Sequence, residues 1–247
     1  MPLRLTLCLI GLLMMTAIVS GQEEVRRQLL PTGSLRVGLN KGNALTHAVG
    51  AILARELAKR LKTEAILRDY PNPGAVTDAA GTGWDIAFIA ADPDRATTLA
   101  FTPPYVELDA TYLVKTASSI QRVSDVDRAG SKIATGRTSA YTLVLQRELK
   151  HAELVFPPEE EAVAGLLSGT ITALAGLRFG LLDLAARTSG TRVLPDDITR
   201  AQQAIAVPRA NRAALVYVTS FLTDVKKSGF VAEAIKTTGL AGATAVR

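Results

Sequence analysis

GWDIAFIAADPDRATTLAFTPPY, residues 83–105, joins an apolar run to a turn that carries an arginine. DIAFIA (85–90) is short and almost wholly apolar, which reads as a buried strand. Asp92 and Pro93 read as the N-cap and first residue of a short helix over 93–98. Arg95 falls in the first turn of that helix, where a cation opposes the macrodipole by roughly 0.3–1 kcal/mol. A charge-assisted hydrogen bond contributes about 1.5–3 kcal/mol, so an anion held by Arg95 would offset that penalty. Ligands of open α/β sheets bind beyond the C-terminal strand ends, and helix starts present free N–H groups to anions. The stretch predicts an α/β fold with an anion site at a strand-to-helix junction.

Two further junctions repeat the arrangement. SKIATG (131–136) leads into Arg137, Thr138 and Ser139, and ITALAG (171–176) leads into Leu177 and Arg178. A guanidinium fork at such a place matches a carboxylate. The plainer reading of each arginine is a solvated side chain, or for Arg95 a pairing with Asp92 or Asp94.

Outward from these junctions, β-like runs alternate with helical ones. Strands are expected at 34–39, 64–70, 107–116, 153–156 and 203–208. Leu45, Val49, Ile52, Leu53, Leu57 and Leu61 recur at helical spacing, as do Leu215, Val218, Leu222 and Val225. Shorter helices are expected over 73–80, 138–149, 178–188 and 230–237. PPEEEAVAGLLSG (157–169) opens on prolines and acids and closes on glycine, a marked helix. The alternation predicts α/β architecture with mostly parallel sheets. Two blocks emerge, 34–108 and 113–200, with the tail from 204 to 247 returning to the first.

Residues 1–21, MPLRLTLCLIGLLMMTAIVSG, place Arg4 before an uncharged run that ends in small residues, the layout of a cleavable export signal. Its apolar stretch is shorter than the roughly 20 residues that span a bilayer. The chain's one cysteine, Cys8, lies inside it, so the mature protein has no thiol chemistry and a bacterial periplasm is the expected compartment. Of the formal charge of +5 the leader carries only Arg4. The basic residues are scattered and not interleaved with aromatics, which excludes a nucleic-acid surface. His47 and His151 are isolated, so no metal site is expected, and no phosphate loop or nucleophile elbow is present. Asp92, Asp94 and Asp109 are the acids available for proton transfer, but none has a recognisable partner, and no catalytic residue is assigned.

SLRVGLN (34–40), the stretch over 83–105 and SGTITALAG (168–176) together resemble bacterial extracellular solute-binding proteins of family 3, components of amino-acid-type ABC importers. The resemblance runs from about Leu35 to Phe230, and the spacing from Arg95 to FTPPY is its most specific part. It implies a two-lobed type II periplasmic binding protein fold, α/β with mixed, mostly parallel sheets and a hinge of two crossover strands. It implies that Arg95 grips a ligand carboxylate, that Ala90 and Asp92 line the same end of the site, and that Thr138 and Ser139 meet the carboxylate from the second lobe. Two departures stand out. Leu177, followed by Arg178, occupies the place where the family usually carries an aspartate for the ligand's α-ammonium. KGNALTHAVG (41–50) replaces a longer connection, leaving Asn40 and Asn43 as polar contacts. Arg178 is kept as a further candidate contact.

The expected function is capture of a small carboxylate-bearing metabolite, amino-acid-like or organic acid, by hinge closure. The expected protein is a periplasmic monomer without cofactor that delivers its solute to an ABC permease. Two other readings are carried: a ligand-sensing or degenerate non-transport binding protein, and a dehydratase-like enzyme on the same scaffold.

Overall fold

The structure, a computed structural model, describes residues 21–239 and 244–246. The expected export leader lies outside the described residues apart from Gly21. A first helix, α1, covers 21–29. The strand β1 (Leu35–Asn40) is followed by α2 (Ala44–Arg60), β2 (Ala65–Tyr70), α3 (Pro73–Asp78) and β3 (Ile86–Ala90). Asn43 caps α2 by accepting a hydrogen bond from the Thr46 N–H at 3.1 Å. Asn72 caps α3 in the same way, with Pro73 at its start. Both caps satisfy N–H groups that a helix start leaves orphaned.

β4 (Leu99–Phe101) and β5 (Val106–Lys115) lead into the second half of the molecule. There β6 (Lys132–Ala134), α4 (Ala140–Glu148), β7 (Glu153–Val155), α5 (Glu159–Ser168), β8 (Ala173–Leu177), α6 (Arg178–Arg187) and β9 (Thr191–Val193) follow. β10 (Thr199–Pro208) returns to the first half, where α7 (Arg212–Lys227), α8 (Phe230–Thr237) and β11 (Thr244–Ala245) complete the described chain.

The principal strand order is β2-β1-β3-β10-β5-β8-β6-β7. Parallel pairs are confined to β1 with β2 and β3, and β6 with β7 and β8. Every pair that involves β5 or β10 is antiparallel. Helical crossovers make the parallel groups, whereas the two long strands pass between the halves in opposite directions. β10 pairs with β5 through Thr199–Gln203 and with β3 through Gln203–Ala206, so one sheet bends from the first lobe into the second.

The first core lies where α2, α7 and α8 cover β1 and β3. Leu45, Val49, Leu53 and Leu57 of α2 are fully buried in it. Each large aliphatic side chain removed from water in this way stabilises the fold by roughly 1.5–3 kcal/mol. Gly50 lets α2 approach closely, because a Cβ there would stand 2.9 Å from both Leu39 Cδ2 and Phe88 Cγ. In the second lobe the two-residue period of β5 sends Tyr112 and Val114 into one core and Leu113 into the other.

The sequence pattern places most expected elements within a few residues of where they lie, leaves α1, β4, β9 and β11 unanticipated, and fails informatively at one point. The helix expected over 93–98 is only a 3-10 turn, Arg95–Thr97. Leu99–Phe101 instead joins the sheet, pairing with Ala206–Pro208 of β10, and leaves no length for an α-helix. Asp92 therefore caps nothing; its Oδ1 accepts from the Asp94 N–H at 2.9 Å. The dipole penalty expected for Arg95 does not arise.

Candidate functional site

The C-terminal ends of β1, β3 and β8 converge on the cleft between the lobes, as the parallel groups on either side of it require. A cavity of about 290 Å³ opens there. Asn40 ends β1, Ala90 ends β3 and Leu177 ends β8, and all three line it. Ser139 and Tyr141 contribute from the start of α4, and Gln203 from the point where β10 changes partners.

Arg95 is the one charged side chain on the cavity wall among the described residues. It is only 5% exposed. Its Nη1 donates to the Ala90 carbonyl at 2.6 Å, and its Nη2 donates across the cleft to the Thr138 carbonyl at 2.7 Å. Both acceptors are neutral. Burial pulls the guanidinium down to about 10, against the opposing pull of Asp92 and Asp94, so it remains charged at neutral pH.

Those two acids are engaged elsewhere. Arg147 of α4 reaches across the cleft and holds Asp92 through Nη2 at 2.9 Å and Asp94 through Nη1 at 3.0 Å. The plainer expectation, Arg95 neutralised by its acidic neighbours, is not what the side chains do. The Asp92 carboxylate is nearly buried, at 3% exposure, but it is turned away from the cavity toward Arg147.

The remaining candidates divide. Ala90 and Asn40 line the cavity, Ala90 offering its carbonyl to Arg95 and Asn40 accepting from the Gly42 N–H at 3.0 Å. Thr138 sits behind the wall and ties the lobes. Its Oγ1 accepts from the Gly74 N–H at 3.1 Å and donates to Asn72 Oδ1 at 3.3 Å. A Cβ on Gly74 would come within 2.7 Å of Thr138 Cγ2, so glycine permits that approach. Ser139 occupies the N-cap position of α4 without making a side-chain cap bond.

Arg178 is a correction. It is not on the cavity; its guanidinium donates to the Leu194 carbonyl at 2.8 Å and to the Asp196 carbonyl at 2.9 Å, and it pairs with Asp197. Because α6 begins at Arg178, the preceding residue faces the cleft and Arg178 points into the loop before β10. Arg137 likewise lies over the Phe156 ring, 4.2 Å from its centroid. One of the three junction arginines therefore reaches the site.

Tyr141 and Gln203 escaped the sequence reading. Burial pushes the Tyr141 phenol up, with a hydrogen bond to Ser139 acting in the opposite sense. Gln203 is 6% exposed, and its side-chain amide has no hydrogen-bond partner among the described residues. A glutamine opening the apolar run QAIAVP was the available signal, because an amide there must find a partner or open onto a cavity.

A profile of the bacterial extracellular solute-binding proteins, family 3, matches residues 48–238. Among solved structures the chain is similar to an ancestral amino acid-binding protein, AncCDT-1, described as a precursor of cyclohexadienyl dehydratase. That match has 21% identity over 85% of this chain and 96% of that one, with a TM-score of 0.69. A mutant of ArgBP from T. maritima is 19% identical over 89% and 99% of the two chains, with a TM-score of 0.68. The amino acid ABC transporter substrate-binding protein AbpA from Streptococcus pneumoniae, bound to L-arginine, is 17% identical over 85% and 96%, with a TM-score of 0.67. At such identities the likeness establishes the type II periplasmic binding protein fold. A comparison with curated protein sequences returns no match.

Proposed function

The chain belongs to the bacterial extracellular solute-binding proteins of family 3, and on that premise we propose that it captures one small carboxylate-bearing solute in the periplasm for an ABC importer. The observation that carries this reading is the buried Arg95 guanidinium, held by two neutral carbonyls from opposite lobes and left without a carboxylate. An uncompensated buried charge costs several kcal/mol, and an anion bound beside it removes that cost. Hinge bending at β5 and β10 admits the solute. Closure brings Thr138 and Ser139 against the first lobe, expels water and strengthens the charge pair.

The partner in this reading is an inner-membrane permease, and the working unit is a monomer. Among the described residues no helix is long and apolar enough to cross a membrane.

The test is a thermal-shift screen of carboxylates against the native protein and Arg95→Ala. Ligand-induced stabilisation is expected in the native protein and absent from the variant. Equal shifts in the two proteins would overturn the assignment of the anchor.

A further inference from the structure

The cavity's charge inventory narrows the solute class, on the reading that Arg95 is the carboxylate anchor. We propose that the solute is a net-anionic acid without an α-ammonium group: a 2-oxo, 2-hydroxy or unsubstituted carboxylate.

One carboxylate against Arg95 makes the closed cavity neutral. A zwitterion adds an ammonium beside the guanidinium, and the closed cavity then holds an uncompensated positive charge. Such a charge requires a nearby anion or a full set of acceptors. Neither is present. Along the adjoining cavity the one carboxylate among the described residues is Glu159, which is 69% exposed and paired to Arg187 at 2.8 Å. The Oδ1 acceptors of Asn43 and Asn72 already serve the N–H groups at the starts of α2 and α3.

The groups that remain suit a neutral polar atom. Gln203, nine-tenths buried and without a partner, offers an amide that can donate to an oxo or hydroxyl oxygen. Leu177 presents an apolar side chain to both cavities and packs against the first core. It also occupies the N-cap position of α6, with extended backbone and no side-chain cap bond. An aspartate there would cap the helix and at the same time supply the cavity with its missing negative charge.

The experiment is calorimetric titration of the native chain with each common amino acid and its 2-oxo counterpart, for example L-leucine with 4-methyl-2-oxopentanoate and L-glutamate with 2-oxoglutarate. The oxo acid of at least one pair is expected to bind, with its amino acid weaker by more than about tenfold. Leu177→Asp is expected to reverse the order for that pair. Leu177→Asn, which changes polarity without charge, is expected to leave the order unchanged, and melting curves establish that both variants fold. An amino acid that binds the native chain as tightly as its oxo counterpart, and loses that binding in Arg95→Ala, overturns this proposal and leaves the anchor intact. Failure of every acid to bind, or binding indifferent to Arg95→Ala, overturns the anchor reading and this proposal with it.

Discussion

Asp92, Asp94 and Arg95 are near neighbours in the chain, yet the acids serve Arg147, which lies 55 positions from Asp92 and 53 from Asp94. That choice of partner leaves Arg95 charged and available. Its depressed value fixes the sign of a pH effect. Burial disfavours the charged form, so the guanidinium reduces stability at pH values below about 10, and the penalty relaxes as pH rises toward the ordinary arginine range. A bound anion needs the protonated form. Affinity measured by calorimetry is therefore expected to be flat from about pH 7 to 9 and to fall by up to tenfold per unit above about pH 10. A constant affinity through that range would show that the anchor is another group. Arg178 illustrates the opposite case. Its sequence context resembles that of Arg95, but the carbonyls of Leu194 and Asp196 take up its donors.

The helices and strands are set by local chemistry, but their closeness depends on small residues at a few points. Gly50 is the clearest: α2 lies so near Leu39 and Phe88 that a methyl group has no room. Gly50→Ala is expected to destabilise the fold by about 1–3 kcal/mol, despite the better helix propensity of alanine, because overpacking outweighs it. Denaturant midpoints measure the change, and a more stable variant would contradict the packing argument. The 3-10 turn at Arg95–Thr97 belongs to this scale as well. Asp92-Pro93 has the form of a helix start, and the helix fails because the next residues are claimed by β10. That pairing joins positions about a hundred residues apart, a distance local pattern does not span.

Closure of the whole molecule rests on ties contributed by both lobes. Arg147 bridges to Asp92 and Asp94, Thr138 bonds Asn72 and Gly74, and Leu177 and Phe179 of the second lobe pack against the core of the first. Arg147→Ala removes the polar tie and leaves the nearly buried Asp92 carboxylate without its partner. With Arg147 itself 38% exposed, solvent screening holds the loss of closed-state stability to about 1–2 kcal/mol. The expected result is a larger radius of gyration in X-ray scattering of the ligand-free protein and about 5–30-fold weaker solute binding. An unchanged radius and affinity would remove the bridge from the closure mechanism. The sequence by itself determined most of the order of strands and helices and the location of an arginine at a strand end, because hydrophobic period acts over a few residues. Tertiary structure alone decided which arginine stays unpaired, what Asp92 and Asp94 bind and where Gln203 emerges. Each of those outcomes depends on which distant donors and acceptors meet when the two lobes come together.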